Sequence, residues 1–238
     1  MSKLGGTSTN GGLSSYDILD GVAKMAHDKT LFPKVTKVSV IGHSAGAQLS
    51  VRYAALIKDA SMVNQFLVYN PGTSLYLTAD RYKDPASSAC ANTYNNWKYG
   101  LVNYNGDYNA AAVSTDSNRR KVAFGYGNKK IHWFFGDKDT EPATDNNCEA
   151  QLGGGSTRYG RGLVFWMYLN AYFATGADVS KYKQAASSLG LTVDFSKIRT
   201  VGCTKTYKLT HTIDIVPGVG HDEYKMVNCD ASKSYLGA

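Results

Sequence analysis

Several familiar kinds of chemistry are missing from these 238 residues. There is no glycine-rich phosphate loop, no dinucleotide fingerprint and no metal-ligating cluster, so the expectation is a site that uses no cofactor and no metal. Cys90, Cys148, Cys203 and Cys229 fit no CxxC or zinc spacing; they allow two disulfides in three connectivities, or four buried thiols. Long apolar runs are absent as well. The most apolar stretch, Leu163 to Phe173, is interrupted by Asn170 and is too short to span a bilayer. The opening Met1-Ser2-Lys3-Leu4-Gly5-Gly6 lacks the apolar core of a secretory signal. Charged residues make up only 19% of the chain against 43% hydrophobic, which excludes intrinsic disorder and predicts one sizeable core. The net charge of +7 is scattered, its densest runs being 118–121 and 128–130 beside an expected strand. Without a continuous basic stripe, that charge reads as solvated loops and argues against a nucleic-acid partner.

Glycine and tyrosine are abundant, which suggests many tight turns and half-buried surfaces that want one polar end. Residues 1–13 read as a flexible leader of Gly, Ser, Thr and Asn. Serine caps at 14–15 and Asp17 then open a helix, with Ile18, Leu19, Val22 and Met25 as its apolar stripe. Strands are expected at 35–41, 63–69, 131–135 and 207–216. Helices are expected at 45–57, 159–174 and 180–188. Residues 71–120 are long, polar and aromatic with weak periodicity, which points to a cap or active-site excursion inserted in the domain 14–238. Strands alternating with helices predict an α/β fold, a mostly parallel sheet flanked by helices.

The chemistry-bearing motif is Gly42-His43-Ser44-Ala45-Gly46, which fits G-x-S-x-G. By chance alone such a pentapeptide turns up roughly one time in ten in a chain of this size, so its setting must decide. A strand ends at Ile41 and a helix begins at Ala45, as a nucleophile elbow requires. The small flanking residues let strand and helix cross, and the Ala45 N–H at the helix start would donate to a developing oxyanion.

A serine hydroxyl needs a base, and five histidines compete. His27 lies on the first helix, His132 inside a strand, and His211 at the wrong end of one. His43 sits in the elbow and is expected to point away from Ser44. His221 follows a strand's carboxyl end in a glycine-rich loop, the edge where open α/β sheets bind ligands. For the acid that orients it, Gly136-Asp137-Lys138-Asp139-Thr140 offers Asp139 first and Asp137 as runner-up, the latter with turn formation as its plainer role.

The order Ser44, Asp139, His221 is that of α/β-hydrolases. Further blocks strengthen that likeness: Ser15-Tyr16-Asp17-Ile18-Leu19-Asp20, GHSAGAQ at 42–48, Arg52-Tyr53-Ala54, Asn70-Pro71, Trp97-Lys98-Tyr99-Gly100, Arg158, Arg161-Gly162 and Gly218-Val219-Gly220-His221-Asp222. Together they resemble a microbial group of α/β-hydrolase-fold proteins over most of residues 14–229. The resemblance implies a carboxylesterase- or lipase-like serine hydrolase acting on a small acyl substrate. Two departures are local: Ala47 stands where a second glycine is usual, and Gly72-Thr73-Ser74 replaces an expected serine pair. The third is larger, because the nucleophile of this fold follows the fifth strand whereas one helix and one strand precede Ser44.

The expectation is therefore a partial domain equivalent to strands five to eight, with about 100 residues more upstream in an intact protein. Its compartment stays open, secretion included, because a signal would lie in that segment. The loop that gives the second oxyanion donor is then missing, unless Gly5-Gly6 or Gly11-Gly12 brings an N–H into the gap. A catalytically impaired remnant serving as a binding or scaffold module is the alternative reading, and a transferase with the same three residues is a third. The first strand becomes an unpaired apolar edge, which predicts self-association. Sedimentation of the isolated chain should show dimers or larger species; a clean monomer counts against this expectation.

Overall fold

The computed structural model describes residues 12–200 and 208–237. Most of the expected leader, and Cys203, lie outside them. Four strands form one parallel sheet in sequential order: β1 (Ser39–His43), β2 (Gln65–Tyr69), β3 (Ile131–Gly136) and β4 (Thr212–Val216). Between β1 and β2 lies α2 (Ala45–Leu56), preceded in the chain by α1 (Ser15–Ala26). Segment 70–130 ends in α3 (Asp116–Gly127). Between β3 and β4 come α4 (Cys148–Gln151), α5 (Arg158–Tyr172) and α6 (Ser180–Ser188), and the chain closes with α7 (Glu223–Val227) and α8 (Asp230–Leu236). No described helix is long and apolar enough to cross a membrane.

Strand alternation divides the core in two. Phe66 and Val68 of β2, with Ile131, Trp133 and Phe135 of β3, face a large core that also takes in side chains of α2, α3 and α5. Leu67, Tyr69 and Phe134 point the other way, onto a small core with Val216 and Met226 of α7. Segment 71–120 packs into the larger core through Leu75, Tyr76, Leu77, Leu101 and Tyr108. The Cys90–Cys148 disulfide ties it to α4, while Cys229 has no disulfide partner among the described residues.

Several sequence expectations differ from the structure, and the fourth strand, for one, begins only at Thr212. The first strand begins at Ser39, not Val35, and runs through His43; before it, the Val38 N–H is taken by the Asn64 side chain. The basic run 118–121 lies inside α3, a helix the periodicity did not reveal. Its start is fixed by Thr115, whose side chain accepts from the Asn118 N–H. On α1 the cap is as expected, with Ser14 and Asp17 forming a capping box, but of the expected stripe Leu19 alone packs against the core. Ile18, Val22 and Met25 are 61%, 53% and 49% exposed. Aromatic packing and a buried polar contact set that orientation. Tyr16 lies between Tyr53 and Tyr108, and Asp20 accepts from both of those hydroxyls at 2.7 and 2.9 Å. β1 forms one border of the sheet among the described residues, with Ile41 exposed.

Two histidines make the fold acid-sensitive. Burial pushes both His132 and His211 from 6.5 to about 4. His211 Nε2 donates to the Tyr126 carbonyl at 2.9 Å, and its Nδ1 accepts from Trp133 Nε1 at 3.3 Å, a neutral pattern. Below pH 6.5 the unfolded chain takes up protons that the folded chain refuses, so stability declines as pH falls toward 4 and then levels off. Each ring should cost on the order of 2 kcal/mol by pH 5. Urea unfolding at pH 7 and pH 5 measures this. The drop should shrink in His132→Asn, and an unchanged drop in that variant would count against the assignment.

Candidate active site

The carboxyl ends of parallel strands share one rim, and three chain-distant residues meet there. Ser44 links β1 to α2 with φ 54° and ψ −114°, a strained conformation for a residue with a side chain. Its N–H donates to the Tyr69 carbonyl at the end of β2 (2.9 Å), and its carbonyl accepts from Gln48 (3.1 Å). The hydroxyl is thereby lifted off the rim, where Ser44 Oγ and His221 Nε2 lie 2.8 Å apart. His221 Nδ1 is 2.8 Å from Asp139 Oδ2. A carboxylate only accepts, so Nδ1 carries the ring proton and Nε2 is left to accept from Ser44.

Two loops, past β3 and past β4, bring Asp139 and His221 together. Lys138 N–H donates to the Val219 carbonyl (3.0 Å), and Asp137 N–H to the Val216 carbonyl (3.2 Å). The Asp137 carboxylate accepts from the Gly218 N–H at 2.7 Å. Asp137 thus braces the histidine loop, and Asp139, 2% exposed, faces the ring. Gly136 lies directly beneath this crossing: a Cβ there would come within 2.2 Å of the Val219 carbonyl oxygen.

The other histidines lie elsewhere or play different parts. His27 caps α1 and is exposed, its Nε2 3.1 Å from the Met62 carbonyl. His132 is paired with Thr212. His43 does not point away, contrary to expectation. Its ring lies against that of His221 with centroids 4.5 Å apart, and its Nε2 is buried without a partner among the described residues. Burial, and then the neighbouring His221, hold His43 below the usual imidazole range, so it meets His221 uncharged.

Two further residues gave no sequence signal beyond their presence in the resembling blocks. Asn70, fully buried with φ 44°, takes the Gly136 N–H on its Oδ1 (2.9 Å) and donates to the Gly220 carbonyl (3.1 Å). It therefore joins β2, β3 and the histidine loop. Arg158, the first residue of α5, is 3.3 Å from Asp139 Oδ1. Thr73, in the departure after Asn70-Pro71, is buried and bonded to Arg52 and Gln48.

Ala45 is exposed and opens α2. Its N–H has no carbonyl to bond within the helix, and the positive end of the helix dipole adds to its pull on an anion. The two motif glycines differ in role. A Cβ on Gly42 would lie 2.4 Å from the Gly46 carbonyl oxygen and 2.6 Å from Ser50 Oγ, whereas one on Gly46 meets nothing within 4 Å. Gly42→Ala should destabilise the fold by about 1–3 kcal/mol, and Gly46→Ala should be neutral or stabilise it by up to about 1 kcal/mol. Thermal unfolding of the two variants checks this; equal losses would refute it.

No family model and no curated relative matches the chain. Solved structures do resemble it. LpqC, a poly(3-hydroxybutyrate) depolymerase from Bordetella parapertussis, superposes with a TM-score of 0.58 at 17% identity, over 98% of this chain and 63% of that one. Poly(aspartic acid) hydrolase-1 from Sphingomonas sp. KT-1 gives 0.50 at 20% identity, over 92% of this chain and 62% of that one. The chain thus spans less than two thirds of the length of either. With its sequential parallel sheet and flanking helices, the chain has the α/β-hydrolase fold.

Proposed function

We propose that the chain is a serine hydrolase that cleaves an ester or related acyl bond through an acyl-enzyme, with Ser44 as nucleophile, His221 as base and Asp139 as the acid that orients it. The observation that carries this reading is the hydrogen-bonded run from Ser44 Oγ through His221 to Asp139, both contacts at 2.8 Å, built on a strained elbow. Structural serines rarely sit in such a conformation with a half-exposed imidazole at the hydroxyl.

The chemistry follows from the geometry. Ser44 Oγ attacks the carbonyl carbon as His221 Nε2 takes its proton, and the imidazolium is stabilised by Asp139. The negative charge on the former carbonyl oxygen is held by the Ala45 N–H at the start of α2. Collapse expels the alcohol or amine, which leaves with the proton from His221. Water then attacks the Ser44 ester by the same route, with His221 again as base, and releases the acid. The acyl substrate lies against an open rim, since Ala45 and Gly46 are exposed.

A second reading, a catalytically impaired fold serving as a binding or scaffold module, is favoured by that openness around the start of α2 and by β1 at the sheet border among the described residues. Working with one oxyanion donor instead of two costs about 2.7–4 kcal/mol, a loss of order 10²–10³ in turnover. A fluorophosphonate probe separates the readings. Ser44 should be labelled in the native chain, and labelling should vanish in Ser44→Ala and fall at least about 10²-fold in His221→Gln. Absence of labelling in the folded native chain would leave the binding-module reading in its place.

A further inference from the structure

The chain keeps four arginines largely out of water, and three of them are staples for loops. Arg52 donates to the carbonyls of Lys98 and Gln48 and to Thr73. Arg81 binds the carbonyls of Thr78, Asp80 and Tyr94, and Arg161 those of Gly155, Gly72 and Asp145. Arg158 is spent differently. Its side chain is 12% exposed, and its one hydrogen bond among the described residues goes to Asp139 Oδ1. Its Nε is buried without a partner among the same residues. The residue after it, Tyr159, donates its N–H to the Asp139 carbonyl at 3.2 Å. The first turn of α5 therefore grips Asp139 by backbone and side chain, while Oδ2 stays on His221.

We infer that Arg158 is a positioning residue that fixes Asp139 and sets how strongly that carboxylate holds a proton on His221, an inference that rests on the Ser44–His221–Asp139 reading. A lone buried carboxylate favours the imidazolium, and an imidazolium at rest cannot take the serine proton. The guanidinium on the far oxygen opposes that pull with a fixed positive charge. Across the carboxylate it stands roughly 7 Å from the ring, where a unit charge shifts a titration by about one to two pH units at an effective dielectric of about 20. His43, Glu223 and Asp137 do not supply this charge. His43 lies on the ring's face and is uncharged, Glu223 of α7 is acidic and exposed, and Asp137 is occupied by the Gly218 N–H.

The test uses Arg158→Gln, which keeps amide donors and removes the charge, beside Arg158→Lys, which keeps the charge and loses the planar fork. The His221 ring protons are followed by NMR, and kcat/KM for p-nitrophenyl acetate is measured across the same pH range. In Arg158→Gln the His221 titration and the acid limb of kcat/KM should both move up by about one to two pH units, while Arg158→Lys stays near wild type. Should the Gln variant not fold, Arg158→Met carries the same measurement with the apolar stem retained. An unmoved titration in a folded neutral variant, or equal movement in the Lys and neutral variants, overturns the inference. If the NMR shift appears but the native chain hydrolyses no ester, the coupling of Arg158 to His221 stands and the hydrolase reading falls.

Discussion

Ser44 holds a backbone conformation that a residue with a side chain avoids, and the rest of the rim is arranged around it. Such a conformation costs on the order of 1–3 kcal/mol and persists only where its surroundings over-determine it. Here the determinants are specific. Ser44 N–H is committed to the end of β2, its carbonyl opens the hydrogen-bond ladder of α2, and Gly42 lets that helix pass within contact of the strand. The Ser50 hydroxyl closes the crossing by bonding the Gly46 carbonyl. A strand that ended in a relaxed turn would leave the hydroxyl level with the sheet edge, where an imidazole from β4's side has no approach.

Parallel topology does the remaining placement. All four strands deliver their carboxyl ends to one rim, so residues 82 and 177 positions apart in the chain come into hydrogen-bond contact. The histidine loop has little core of its own, since α7 contributes Met226 and few other buried groups to the smaller cluster. Its position is set by polar contacts to neighbouring strand ends instead: Asp137 and Lys138 past β3, and Asn70 past β2. Those groups are local in space and remote in sequence.

That distinction explains what can be read from the sequence. The elbow at Ser44 is legible because its determinants, strand, turn and helix, are contiguous in the chain. The loops carrying Asp139 and His221 are legible because each directly follows an apolar strand. α3 is not, because DSNRRKVAFGYG has too few apolar residues for a periodic stripe; it is held by its Thr115 cap and by Ala123 and Tyr126 in the core. The exposed stripe of α1 misleads for the converse reason: Tyr16 and Asp20 fix its orientation through Tyr53 and Tyr108, which lie far along the chain. The placement of His43 against His221, like the roles of Asn70 and Arg158, depends on contacts that no local pattern encodes.

Asp139 brings stability and chemistry together. A carboxylate this deeply buried is very costly unless paired and hydrogen-bonded. The imidazole N–H satisfies one oxygen and the Arg158 guanidinium the other, and the amino end of α5 adds its dipole from the same side. α5 cannot drift to relieve a misfit, because its Phe165 ring packs edge-on against Trp133 in the middle of β3, 5.3 Å between centroids. Phe165 and Tyr168 also pack against one another in the same core. The helix that fills the main core therefore also carries the charge that makes a buried acid tolerable beside the histidine. Loosening its packing would act on the rim through Asp139 before it disturbed Ser44, whose own supports come from β1, β2 and α2.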